Sequence, residues 1–257
     1  MLQEGAYKDM DACLMIHPAP DNSTGPMLAV TTVRVEYTGR TAHAGAAPQE
    51  GVNAQDAAVL AYTNISALRQ QIETTARTHG IIIGQDWAPN VIPGKSAIVW
   101  ITRGVNVKVR DEVKAKVNRC FQAAALATGC DVRIIEQVPY ADLRNSATLA
   151  ADYRTFMSQK YEQKYSTDPW SASTDFGDVT YALPALHSAY RIPLDDPKTQ
   201  GNHTIGFTQA AQTIEAHRLT LQAAVGIAVV GARIIVESDY RKRVRQQWEQ
   251  WRRQVAT

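Results

Sequence analysis

The sequence predicts an α/β chain carrying an inserted ferredoxin-like β-α-β-β-α-β module, and three observations support this. Alternating, β-branched runs recur at period 2. Two long segments carry apolar stripes at helical spacing. Between Met27 and Val138 these segments follow one another as strand, helix, strand, strand, helix, strand. The flanking stretches do not complete folds of their own, so the module reads as an insertion into a split domain.

Each element has a local reason. Ala12-Cys13-Leu14-Met15-Ile16-His17-Pro18 is a short apolar run stopped by proline and then by Asp21 to Pro26, which predicts a buried strand and a loop. Met27 to Tyr37 alternates Val30, Val33 and Val35 with Arg34 and Glu36, a half-exposed strand. Gly39 to Gly51 is a Gly-, Ala- and Pro-rich loop. Asn53 caps a helix predicted to reach about Ala76, with Ala57, Ala61, Ile65, Leu68 and Ile72 on one face. Ile81 to Ile83 reads as a strand, Gln85 to Asn90 as a loop, and Ser96 to Thr102 as the next strand. A second helix over 106–128 carries Val109, Val113, Val117, Phe121 and Ala124 and ends at Gly129. Cys130 to Val138 closes the module as a strand. Each helix has one apolar face that needs one sheet face. Region 28–138 is therefore expected as a four-stranded antiparallel sheet with both helices on one side.

Residues 144–236 predict a helix, a Gly/Ser/Pro-containing loop region and a long apolar helix from about Thr208 to Val236. The tail carries Arg241, Lys242, Arg243, Arg245, Arg252 and Arg253 with Trp248 and Trp251; it reads as a solvated extension whose tryptophans pack locally. The expected divisions are 1–27, 28–143, 144–236 and 237–257.

Composition excludes several classes. Hydrophobic residues at 45% and charged residues at 20% argue against a disordered chain. Lys plus Arg 27 against Asp plus Glu 25 gives +2, so no global field recruits nucleic acid or an anionic membrane. Cys13, Cys120 and Cys130 form no CxxC pair and fit a reducing, cytoplasmic location. Met1 to Asp11 contains no apolar signal core, and no uninterrupted apolar run is long enough to span a bilayer.

The six histidines are the first candidates for chemistry, because imidazole titrates near neutrality and is the commonest metal ligand. His17 ends a strand, a place where α/β sheets bind ligands; a structural role is the competing reading. His43 lies among small residues in Thr41-Ala42-His43-Ala44-Gly45, exposed in its loop, as either a surface or a functional residue. His203 directly precedes the last long helix, where Asn202 or Thr204 can cap and the helix dipole favours a neutral ring. His79 reads as a strand-entry residue and His217 as a helix-face residue, both structural; His187 has no distinguishing setting. Asp175 and Asp178 form a polar turn that can orient a ligand histidine or simply cap. HExxH, GxSxG, GxGxxG and phosphate-loop patterns do not occur.

These residues stand in recognisable strings. Val35 to Pro48 (VEYTGRTAHAGAAP), Gly51-Val52-Asn53-Ala54, Pro89-Asn90-Val91-Ile92-Pro93-Gly94, Ser173 to Asp178 (STDFGD) and Asn202-His203-Thr204 resemble a zinc hydrolase family, peptidase clan MH. That family contains aminoacylases, carboxypeptidases and dipeptidases. The nearest branch is the amidohydrolase branch with aminobenzoyl-glutamate hydrolase and β-alanyl-lysine dipeptidase. The resemblance covers about 12–236. It implies a zinc-hydrolase catalytic domain, present in part, with an inserted lid or dimerisation domain. By the same resemblance His17 and His203 are metal ligands and should approach each other. His43 serves the partner subunit's site by steadying the oxyanion, Asn90 holds substrate, and Asp175 lies near the metal. Zinc is the implied cofactor, and a small peptide or N-acyl amino acid the implied substrate. The implied partner is a second copy or a full-length relative, with no nucleic acid and no membrane.

The match also has a gap. Family members place a His-x-Asp motif and a Glu-Glu pair upstream of the strand holding His17, and neither occurs in this sequence. The chain is therefore expected to correspond to the C-terminal two-thirds of such an enzyme, with an incomplete zinc site, and to be inactive by itself. A non-catalytic dimerisation module is the alternative.

Overall fold

The computed structural model describes residues 1–255, in two compact units: Leu28–Asp142, and Met1–Met27 with the segment from Leu143 onward. In chain order the elements are β1 (Cys13–Ala19), β2 (Ala29–Thr38), α1 (Ala54–Leu68), β3 (Arg77–Gly84), β4 (Lys95–Gly104), α2 (Val107–Thr128) and β5 (Asp131–Glu136). There follow α3 (Ala147–Tyr161), α4 (Phe176–Ala182), β6 (Ala185–Arg191), α5 (Ile205–Ala211), α6 (Ile214–Val236) and α7 (Ser238–Val255).

In the unit Leu28–Asp142 the sheet order is β3-β4-β2-β5, every neighbouring pair antiparallel, which is the ferredoxin-like arrangement. Alternation along β2 buries Val33, Val35 and Tyr37, and β4 adds Ile98 and Trp100 to the same core. Ala57, Ala61 and Ile65 of α1, with Val113, Val117 and Phe121 of α2, cover that one face. Both helices begin on asparagine caps: Asn53 Oδ1 accepts from the amides of Gln55 and Asp56, and Asn106 Oδ1 from that of Val109. Gly129 ends α2 in the left-handed conformation at φ 74°.

One boundary corrects the sequence reading. The first helix stops at Leu68, not Ala76; a 3-10 turn over Arg69–Gln71 follows, and Ile72 is already extended. Ile72 still packs on the core from that extended position, so the apolar stripe outruns the helix that produced it. The β-branched Ile72, Thr74 and Thr75 are poor helix formers, which favours the early exit.

The other unit is built on β1 and β6, paired in parallel with Cys13 opposite Ala185 and Ala19 opposite Arg191. Its largest core joins Leu149, Tyr153 and Met157 of α3 to Leu186 of β6, Val230 and Ile234 of α6, and Tyr240 and Val244 of α7. Gly226 lets α6 approach α3 closely: a Cβ there would lie 2.5 Å from Met157 Sδ and 2.8 Å from Tyr153 Cε2. Three further expectations are corrected in this unit. The long apolar helix is two helices, because Thr213 interrupts it, accepting from the Ala216 amide and donating to the Ala210 carbonyl. The basic tail is not a solvated extension: over its described residues it is α7, whose Tyr240 and Val244 are buried. Trp248 of that helix donates to the Thr180 carbonyl at 2.8 Å, and Trp251 meets Tyr181 edge to face at 5.1 Å. The exclusion of a spanning helix also fails on length and composition, since α6 is long and apolar enough to cross a membrane. One face of that helix, Ala223, Gly226, Val230 and Ile234, is nevertheless buried.

Candidate functional site

Two clusters gather the candidate residues, one in each unit. In the unit Leu28–Asp142 the loop carrying His43 is joined to the loop carrying Asn90. The Ala44 amide donates to the Asn90 carbonyl at 2.9 Å, and the Ile92 amide to the Ala42 carbonyl at 2.9 Å, so His43 and Val91 pair like strand residues. The Gly39 amide donates to the Gly94 carbonyl at 2.9 Å, and a Cβ on Gly39 would sit 2.0 Å from the Val52 carbonyl oxygen; only glycine fits. Two sequence strings about fifty residues apart thus form one knitted surface.

Within it the His43 ring is exposed and oriented. Its Nδ1 accepts from the backbone amides of Gly45 at 3.2 Å and Ala46 at 3.1 Å. A nitrogen that accepts two hydrogen bonds carries no proton in the neutral ring, so the proton sits on Nε2. His43, exposed in its hydrogen-bonded turn, therefore presents an N–H donor in the neutral ring.

The second cluster lies where β1 ends. His17 is exposed, and its Nδ1 lies 2.7 Å from the Pro18 carbonyl oxygen. A carbonyl only accepts, so Nδ1 carries a proton, and in the neutral ring the lone pair of Nε2 is then free, the tautomer that suits a metal ligand. The same Pro18 oxygen accepts from Asn202 Nδ2 at 3.0 Å. One carbonyl oxygen thereby ties the His17 ring to the loop that bears His203. His203 is itself exposed and adopts φ 72°, a left-handed turn conformation that is uncommon for a non-glycine residue. Thr204, not Asn202, provides the cap, its hydroxyl accepting from the Phe207 amide at 3.2 Å.

His187 is the residue the sequence reading missed. Met15 of β1 is its register partner in the parallel pair, two positions before His17. The His17 and His187 ring centroids lie 5.8 Å apart, tilted by 56°, and Phe176 closes the other side of His187 at 5.6 Å. His187 is 2% exposed, and neither ring nitrogen has a hydrogen-bond partner. Its backbone is clamped instead: the His187 amide donates to Asn145 Oδ1 at 2.7 Å, and Asn145 Nδ2 donates to the His187 carbonyl at 3.0 Å. Sequence spacing carries no signal for this, because strand pairing joins residues far apart in the chain. Asp175 is exposed at the start of α4 and its side chain makes no capping bond; its neighbour Phe176 makes the contact with His187. Among the described residues no group of three or more His, Cys, Asp or Glu converges in a way that could hold a metal.

Burial, and then the nearby His17 charge, push the His187 pKa from 6.5 down to about 4. In that window the unfolded chain binds a proton that the folded ring refuses, so stability falls as pH falls from 6.5 toward 4. The expected loss is about 3 kcal/mol across the window. Urea titrations of the chain and of His187→Phe measure it. A variant with the same acid sensitivity as the wild type refutes the assignment.

Residues 29–128 match the peptidase dimerisation domain of the M20 family. Over 256 residues the chain is 37% identical to the Xaa-Arg dipeptidase of Mus musculus, covering 97% of this chain and 58% of that relative. This chain belongs to the M20 peptidase family. It is also 23% identical to one of the two p-aminobenzoyl-glutamate hydrolase polypeptides of Escherichia coli, covering 97% of this chain and 64% of that protein. The crystal structure of an aminobenzoyl-glutamate utilization protein from Klebsiella pneumoniae superposes with a TM-score of 0.62 at 20% identity, over 74% of this chain and 52% of that one. At that identity the likeness speaks for the fold. The M20 chain spans about six-tenths of the length of these curated relatives. Its dimerisation domain suggests self-association.

Proposed function

We propose that this M20 chain carries the lid and two metal-binding histidines of a metal-dependent dipeptidase or amidohydrolase acting on small peptides or N-acyl amino acids. The observation that carries the reading is the pair of opposite tautomers. His17 is held with a free Nε2 lone pair, and His43 with an Nε2–H. Imidazole nitrogens suit Zn²⁺, and the unpartnered nitrogens of buried His187 beside His17 fit a site that takes a cation. His17 and His203 are the residues that would hold zinc. Bound zinc supplies polarisation of the scissile carbonyl and acidification of water.

The chain's own groups do the rest. The Pro18 carbonyl bonds the His17 ring, and Asn202, bonded to the same oxygen, tethers the loop that bears His203. His43 donates its Nε2–H to the oxyanion that develops on the substrate carbonyl in the partner subunit's site. Such a donor is worth about 10²–10³ in kcat when it is rigidly placed. Asn90, on the loop paired with the His43 loop, holds substrate. Asp175, beside the Phe176 that packs on His187, stands near the metal. Three free cysteines are in keeping with a reducing, cytoplasmic compartment.

A second reading, a non-catalytic module that pairs with itself or with a full-length relative, is favoured by the absence of a three-donor cluster among the described residues. Mixed dimers separate the two. The chain is combined with mouse Xaa-Arg dipeptidase in which the position aligned with His43 is alanine, and release of free amino acid is measured. Rescue by the wild-type chain but not by His43→Ala is expected. Equal activity with both chains supports the non-catalytic module, and no rescue by either removes the in-trans role.

A further inference from the structure

We propose that His187 is a metal ligand that shares one transition-metal ion with His17. The inference rests on the reading of His17 as a ligand and adds a residue to it. Three observations carry it.

The first is the spacing. A ring nitrogen 2.0–2.1 Å from zinc places its ring centroid about 3 Å from the ion, so two imidazoles on one tetrahedral ion have centroids about 5–6 Å apart. The rings of His17 and His187 are 5.8 Å apart.

The second is the pair of orphaned atoms. Both nitrogens of His187 lie out of water with no donor or acceptor in reach. Each buried unmade bond costs about 1–3 kcal/mol, and native folds keep such groups when something else satisfies them. A packing role alone does not require this ring, since a phenyl ring would fill the same space against Phe176 without the penalty.

The third is the mounting. His187 sits in the centre of β6, its amide and carbonyl both held by the Asn145 side chain, and that side chain also donates to the Thr24 carbonyl at 2.9 Å. The His17 ring is independently fixed by the Pro18 carbonyl. Two imidazoles are thus held on adjacent parallel strands, one with Nε2 free and one with both nitrogens unpartnered. That is a borderline-soft, two-nitrogen donor set of the kind that Zn²⁺, Ni²⁺ and Cu²⁺ accept.

The test uses the whole chain labelled with ¹⁵N-histidine and titrated with zinc chloride, read by the ring nitrogen resonances in long-range ¹H–¹⁵N spectra. His17→Gln and His187→Gln assign the two rings. Both rings are expected to shift together at one zinc midpoint, and His187→Gln to raise the midpoint for His17 by at least about tenfold. His187→Phe, which fills the volume without a nitrogen, should give the same weakening. A His17 shift without a His187 shift, or an unchanged midpoint in both folded variants, overturns the inference and leaves the metal reading of His17 intact. If neither ring responds, the inference and the His17 metal reading both fail for this chain.

Discussion

A polypeptide of these 257 residues, purified alone and supplied with zinc, is expected to release no free amino acid from arginine dipeptides, β-alanyl-lysine or aminobenzoyl-glutamate. Catalytic zinc sites normally use three protein ligands and an open position. Among the described residues no three His, Cys, Asp or Glu side chains converge, and the adjacent rings of His17 and His187 bring no carboxylate with them. A carboxylate is also needed to take the proton from the attacking water and pass it to the leaving amine. That assistance is worth about 10²–10⁴-fold. Asp175, a carboxylate of the motif strings, is exposed at the start of α4, and its side chain makes no capping bond there. Turnover near a typical kcat of about 10 s⁻¹, abolished by His17→Ala, would show that another group acts as base. The expected outcome is the uncatalysed rate for both chains.

The second large effect concerns the dimerisation domain. Trp100→Ala is expected to cost about 3–5 kcal/mol of stability. Trp100 is fully buried at the centre of the sheet face that both helices cover. Its ring meets Phe121 edge to face at 6.4 Å and Tyr62 at 5.6 Å, and its indole N–H donates to the Thr78 hydroxyl. Truncation would open a cavity, break two aromatic contacts and strand the Thr78 hydroxyl. Tyr62→Ala, at a ring that is 39% exposed, is the control and should cost much less. Urea unfolding followed by circular dichroism gives both values. A loss below about 1 kcal/mol for Trp100→Ala would mean that the core closes around the gap.

The sequence by itself determined the ferredoxin-like module, because its signals are local and periodic. Period 2 in β2 and period 3.6 in α1 and α2 each specify one buried face, and the Asn53, Asn106 and Gly129 punctuation placed helix ends. Local signals failed where two local preferences competed. The stripe through Ile72 continued in space after the helix had ended, and Thr213 turned one apolar run into two helices. The strings around His17, His43, Asn90, Asp175 and His203 were legible as motifs, and family membership followed from them.

Only the tertiary structure decided what those residues face. The tautomers of His17 and His43 depend on which backbone atoms lie within hydrogen-bond reach, and no residue pattern encodes that. His187 had no distinguishing neighbours in the chain. It joins the site because β6 pairs in parallel with β1, a contact between segments some 170 residues apart. Parallel pairing has no hairpin to announce it, so its partners are chosen by the packing of the whole unit, not by local sequence. The same holds for α7: charge made its sequence look solvated, while Tyr240 and Val244 found a core supplied by α3 and α6. Burial is a property of the assembled fold, and a chain read residue by residue shows only which side chains are able to be buried.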